Sequence, residues 1–413
     1  MIQKWIQERA DSNNKINWET AILAGTLFLL PLSEKGFLLG LTFCCFFAVL
    51  SIWQKKSVLI RLTKVDTIIL LWLLWSSFSL WLSEHGSLGH FILTALLPVF
   101  LYFFISRRKR TIENERILLQ SLWLGAGAVA IWGLWQVFSG NAFMQGDWVD
   151  QGQFSILLIR MYGPLYNPNL LAGYLAMVMA FWTGYRVYRS RTRDGMIGIA
   201  GLGLLGVCLL LTYSRGAWLS LSAVLLGMGG FGRKKGRYLL WGFVGLCGVI
   251  LLTDSSITER LTSVFNPTGE SSSALRLAIW HSSLYIIGDY PIFGIGWGAF
   301  PKIYPLYDYF LGENKITIFH AHNLYLQLIV ETGIVGFLIW TAIIGLTLQT
   351  LWSQIKKEDP MSMGLACAIL TGLLGGLTDV WLYNPQIAAF FWLLIGWSQR
   401  ELPRTRTSSR KMD

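Results

Sequence analysis

"NLYLQLIVETGIVGFLIWTAIIGLTLQTLW", residues 323–352, carries one charged side chain, Glu331, in an otherwise apolar run. A helix of this length rises about 45 Å, more than a hydrocarbon core about 30 Å thick requires. The run is continuously apolar rather than alternating, so it reads as a membrane-spanning helix and not as a barrel strand.

Working outward, comparable runs lie near residues 20–33, 36–53, 65–83, 87–106, 116–138, 168–188, 195–213, 216–232, 238–253, 361–382 and 385–399. The chain is 54% hydrophobic and only 14% charged. A soluble domain cannot bury that much apolar surface. The expectation is an all-α polytopic membrane protein with about 12 transmembrane helices. Residues 1–138 form an N-terminal bundle of about five spans, and 139–413 form the second region. All five cysteines fall inside apolar runs and read as small core residues, with neither a disulfide framework nor a metal cluster expected. The polar first 17 residues are not a cleavable signal peptide of the usual form.

The net charge of +11 raises a nucleic-acid reading, which the placement of the charge argues against. Threaded through these spans, 27 of the 34 lysines and arginines fall on one side, including "QKKSVLIRLTK", "RRKR", "RVYRSRTR" and "RKKGR". Cytoplasmic loops are the basic ones. Both termini are therefore expected in the cytoplasm, and the basic excess is an orientation signal with no nucleic-acid partner.

This orientation leaves two long segments outside, 139–167 and 254–322. In the second, Leu275, Ala278, Ile279, Ser282 and Ile286 approximate a helical stripe, read as an amphipathic helix. "GDYP" and "GIGWG" then break it.

Seven basic residues remain on the outer side, among them Arg160, Arg215 and Arg276. Their planar donor forks suit phosphate oxygens, although a snorkelling or solvated arginine explains each one alone. His322 stands one residue before the long span, where an imidazole could accept a proton from an attacking hydroxyl. An interfacial histidine with a satisfied hydrogen bond is the plainer alternative. Asn323 could orient His322 or cap the helix. His320 reads as a solvated neighbour, and His281 carries an equally plain reading. Glu331 lies ~13 Å down the helix from His322 and Gly333 ~16 Å. A buried carboxylate at that depth is a functional candidate, with Asp379 a weaker one. Gly333 and Gly336 read as close helix packing. The sequence holds no phosphate-binding glycine loop, zinc-spaced set or nucleophile elbow, and "GIGWG" follows no strand.

Together, "HNLYLQLIVETGIVG", "YNPNLLAGYL", "LTYSRGAWL", "RLAIW" with "DYPIFGIGWGAF", and "NPQIAAFFWLLIGW" resemble, in order, the elements of the O-antigen ligase and polysaccharide polymerase superfamily. The likeness runs from Arg160 to the last span. It implies a large extracytoplasmic loop and a metal-independent, inverting glycosyltransferase of a bacterial inner membrane, with an extracytoplasmic active site. The donor would be a glycan on undecaprenyl diphosphate, and the acceptor a hydroxyl of a glycan, lipid or protein. No cofactor is implied. The resemblance puts the base on His322 and diphosphate binding on Arg215 and Arg276. It counts Arg160, beside the family's "NPN" region, with those diphosphate-binding arginines, and gives Asn169, Asn323 and Glu331 supporting places.

The same stretches also resemble cyanobacterial members described as bicarbonate transporters. Outer arginines could bind bicarbonate, but no repeat relates two halves of the chain, and Glu331 stands almost alone as an ionisable residue within the spans.

Overall fold

The computed structural model describes residues 18–53, 62–108, 111–140, 160–188, 195–230, 272–308 and 318–399, and within them the fold is helical. The helices are α1 (Trp18–Leu29), α2 (Glu34–Trp53), α3 (Lys64–Leu82), α4 (Leu88–Arg107), α5 (Ile112–Phe138), α6 (Pro168–Tyr188), α7 (Gly195–Leu211), α8 (Arg215–Gly230), α9 (Ser272–Asp289), α10 (Leu324–Ile355), α11 (Pro360–Gly375) and α12 (Pro385–Ser398). Five are long and apolar enough to cross a membrane: α3, α4, α5, α6 and α10. The apolar helices α1, α7, α8, α11 and α12 are shorter. The expected span at 238–253 lies outside the described residues, as do 141–159, 254–271 and 309–317 of the two long loops. This arrangement is that of a multi-pass membrane protein.

Local chemistry sets the helix starts. Thr63 and Asp66 form a reciprocal capping box on α3. Asp359 and Asn384 cap α11 and α12, each followed by a proline whose missing N–H is harmless at the first helical position. Pro98 sits inside α4, and the preceding residues Ile92–Leu96 widen into a π turn. The expected span at 361–382 ends early, at Gly375, and the chain continues to Asn384 through a short 3₁₀ turn. Gly376 leaves the helix so that its carbonyl can accept the Leu324 N–H at the start of α10 (2.7 Å).

The centre of the bundle is α12, where every residue from Gln386 to Ser398 is buried. A helix apolar on all sides belongs in such a place. Around it, α4 packs on α12, α3 on α10 and α6 on α11. The last pair approaches through glycines: a Cβ at Gly184 would meet the Met363 carbonyl at 2.8 Å, and one at Gly364 would meet that of Phe181 at 2.7 Å. The periphery exposes large apolar side chains, such as Leu74, Trp81, Ile131 and Leu338, as a lipid-facing surface does.

The two ends of the bundle differ. At one, Arg107 pairs with buried Asp66, Arg108 donates to Thr20 (2.7 Å) and Glu115 (3.3 Å), and Trp397 Nε1 donates to Glu115 (2.6 Å). The helix ends bearing Arg107, Arg186 and Lys356 lie here. The opposite end gathers the segments around residues 160–167, 212–215, 320–323 and 376–384.

Two expectations about the glycine-rich stretch need correction. Residues 290–299 are inserted between α3 and α10. Ile295 and Gly296 N–H groups donate to the Val330 (2.8 Å) and Glu331 (3.0 Å) carbonyls, and Ile334 N–H donates to Pro291 O (2.8 Å). Ser79 Oγ sits 2.6 Å from Phe293 O and 2.9 Å from Glu331 O, and Ser83 Oγ donates to Ile295 O. Gly333 interrupts α10 at φ +70°, and a Cβ there would lie 1.8 Å from the Ile292 carbonyl oxygen. Gly333 therefore admits loop backbone instead of a neighbouring helix: the kink frees main-chain groups that the loop satisfies. Gly336 does pack closely on α3, near Trp75. The helix expected to be amphipathic is present as α9, with Ile279, Ser282 and Ile286 fully buried. Its other face exposes Leu277, Leu284 and Tyr285, so it is not polar outside.

Candidate active site

The start of α10 builds the site. Asn323 caps the helix, its Oδ1 accepting from Tyr325 N–H (3.0 Å) and Leu326 N–H (3.1 Å). Its Nδ2 donates to the Leu377 carbonyl (3.2 Å). Of the two roles open to Asn323, capping is the one its side chain fills, and its amide reaches Leu377 rather than His322. Together with the Leu324–Gly376 bond, it fixes residues 376–379 against the loop that carries His320 and His322.

That attachment brings Asp379 to His322, with Oδ1 3.9 Å from Nδ1. This is an electrostatic pair beyond hydrogen-bond reach. His320 is no solvated bystander. Its ring centroid lies 4.3 Å from that of His322, and its Nδ1 accepts the His322 N–H (3.3 Å). Burial lowers the His322 pKa below the usual imidazole range; His320 and Arg276 add to this, and Asp379 opposes it. His320 is lowered in the same way, by burial first. For Asp379, burial pulls upward, yet His322, His320, Arg276 and the Val380 N–H hold it below the usual carboxylate range. A neutral imidazole beside an ionised carboxylate is the state a base requires.

The arginines approach from three elements. Arg276, on α9, is near enough for its charge to act on His320, His322 and Asp379 alike. Arg215 is the first residue of α8, and a Cβ on the next residue, Gly216, would meet Thr378 Oγ1 at 2.1 Å. The start of α8 thus abuts the segment ending in Asp379. Arg160 is tied back into the protein: Nε donates to Thr212 O (2.8 Å) and Nη2 to Asn169 Oδ1 (3.0 Å). It braces the turn before Arg215, and Asn169 holds it there.

Three non-glycine residues at this end have left-handed backbone: Tyr166 (φ 54°), Tyr213 (φ 52°) and His322 (φ 48°). Each belongs to a different family-like segment, and such strain gathers at functional sites. Glu331 is apart from the histidines. It is fully buried against the inserted loop, accepting from Gly298 N–H (2.9 Å), Gln327 Nε2 (2.9 Å) and the Tyr383 hydroxyl.

His320, His322 and Asp379 could also hold a cation, since their donor atoms lie within 4.8 Å of one another. The nearby Arg276 charge opposes that use.

A family model described as O-antigen ligase matches residues 200–341, a stretch that contains Arg215, Arg276, His320, His322, Asn323 and Glu331. Over that stretch the chain is similar to the O-antigen ligase family. The chain is also similar to the "O-antigen ligase" of Pseudomonas aeruginosa, with 27% identity over 58% of this chain and 55% of that protein. It is also similar to "Exopolysaccharide production protein ExoQ" of Rhizobium meliloti, with 24% identity over 60% of each. The chain thus spans little more than half the length of the curated relatives it matches. Arg160, Asn169 and Asp379 fall outside the superfamily model's stretch yet adjoin it in space.

Proposed function

We propose that this chain is a membrane-embedded glycosyltransferase of the O-antigen ligase type that moves a glycan from undecaprenyl diphosphate to an acceptor hydroxyl on the extracytoplasmic face. The observation that carries the reading is the meeting of His322, Asp379 and Arg276 at the start of α10, with Arg215 on the adjoining helix start.

His322 takes the acceptor hydroxyl's proton as the oxygen attacks the anomeric carbon. The bond from that carbon to the diphosphate oxygen breaks from the opposite face, so the configuration inverts. The diphosphate leaves with the electron pair, and Arg215 and Arg276 stabilise its charge. Asp379 steadies the imidazolium that forms, as the carboxylate of an acid–base triad does. Arg160 and Asn169 hold the Arg215 turn. A leaving group that is already anionic and stable asks for charge neutralisation, which guanidinium groups supply without a metal.

The relatives' names point to glycan assembly, and no observation favours bicarbonate transport. The test is genetic and chemical together. In cells lacking the native gene, His322→Ala and Arg215→Ala should each abolish glycan transfer and let the lipid-linked glycan accumulate. Wild-type transfer by either variant would sink the assignment.

A further inference from the structure

The histidine loop is joined to the membrane interior by a chain of hydrogen bonds whose polarity is fixed at both ends. Ala321, between the two histidines, donates its N–H to Gln327 Oε1 (2.6 Å). Gln327 must then present its amide nitrogen onward, and Nε2 donates to Glu331 Oε1 (2.9 Å). The other carboxylate oxygen accepts from Gly298 N–H (2.9 Å) and from the Tyr383 hydroxyl. Ala321, Gln327 and Glu331 are all 0% exposed, so water cannot substitute for any partner.

Two main-chain N–H groups bound this chain, and neither can reverse. Position 331 must therefore accept on both of its terminal atoms. A carboxylate does so; a carboxamide in any orientation sets a donor against a donor. The same carboxylate is linked to three segments, to the first of them through Gln327 and to the other two directly. These are the loop of His320 and His322, the inserted loop that follows the Arg276 helix, and the turn at Tyr383 that follows Asp379.

We infer that Glu331 is a positioning residue for His322. Through Gln327 and the Ala321 amide it holds the left-handed backbone of His322, and through Tyr383 and Gly298 it sets the other site segments against that loop. The inference rests on the proposed function, in which His322 is the base.

The test exploits the polarity. Glu331→Gln leaves one unavoidable donor clash, and Gln327→Glu sets two carboxylates together. The exchange of both, Glu331→Gln with Gln327→Glu, satisfies every donor again. The carboxylate moved to position 327 accepts from Ala321 N–H and from the amide nitrogen now at position 331. The amide oxygen at position 331 then accepts from Gly298 N–H and the Tyr383 hydroxyl. Each variant is reconstituted in liposomes with undecaprenyl-diphosphate-linked glycan and acceptor supplied as a membrane lipid extract. Thermal melting is followed alongside.

Glu331→Gln should lower the rate at saturating donor on the order of 10²-fold, with little change in half-saturating donor. The exchanged pair should return to within about tenfold of wild type. Full activity of Glu331→Gln overturns the inference. So does an exchanged pair that melts like wild type but stays inactive, because the carboxylate would then act chemically at its own position. If Glu331→Gln fails to fold, the exchanged pair alone decides. An active His322→Ala, by contrast, removes the proposed function itself.

Discussion

At the residue scale the site depends on which form of His322 is present. Burial, His320 and Arg276 push its pKa down, and Asp379 pushes it up. As the proposed base it must be neutral, so activity should be present above the folded pKa and lost as pH falls through it. That acid limb should lie below about 6.5, the ordinary imidazole value. Asp379→Asn removes the one influence that raises the pKa, so the limb should move to still lower pH. The rate on the plateau should also drop on the order of 10²-fold as the imidazolium loses its counter-charge. A pH–rate profile whose limb does not move would show that Asp379 does not act on this histidine. Sequence spacing could place His322 at a helix start and match it to a family signature. It could single out Asp379 but not pair it with His322, 57 positions away, because that meeting depends on Gly376 leaving α11 to serve Leu324. The place of His320 is illegible for a related reason: its partner is the backbone of His322, bent by a positive φ that no residue type announces.

At the scale of elements, α10 is two helical pieces with a junction made for another segment. Gly333→Ala forces a side chain into backbone conformation that glycine alone adopts freely, with a carbonyl in its path. The expected loss is at least about 1–3 kcal/mol, read as a lower melting temperature in detergent. Gly345 lies on the same helix with nothing within 4 Å of its would-be Cβ, so Gly345→Ala should be neutral or stabilise by up to about 1 kcal/mol. Equal effects from the two would contradict the junction. Apolar run length makes the spans readable, and the Thr63–Asp66, Asp359–Pro360 and Asn384–Pro385 pairs make several starts readable. The inserted loop is not, because its bonds join residues as distant as Ser79 and Phe293 and run through main-chain atoms. "GIGWG" can announce flexibility but not its destination.

For the whole molecule, one end collects Arg107, Arg108 and Lys356, and the other collects the site. The basic bias predicts that the first end faces the cytoplasm. With the native cysteines replaced, Leu306→Cys should react with a membrane-impermeant maleimide in intact spheroplasts, and Lys357→Cys only after permeabilisation; both positions are exposed. Labelling in the reverse order would invert the orientation and put the proposed site on the wrong face for an extracytoplasmic donor. The orientation expectation needs only charge counts and no knowledge of the packing. The asymmetry of the interior is the least legible: α12 is buried on every side and so leaves no periodic trace in the sequence.

The insertion of residues 290–299 into the α10 junction has a consequence for how such proteins can diversify. Ile295, Gly296, Pro291 and Phe293 are anchored through their amides and carbonyls, whereas Tyr290 and Ile292 leave their side chains at the surface. The seat is therefore largely indifferent to what those two side chains are. Randomising positions 290 and 292 should vary the chemistry displayed beside the Arg276 helix while the anchoring bonds persist. The bundle supplies a fixed socket with an exchangeable face.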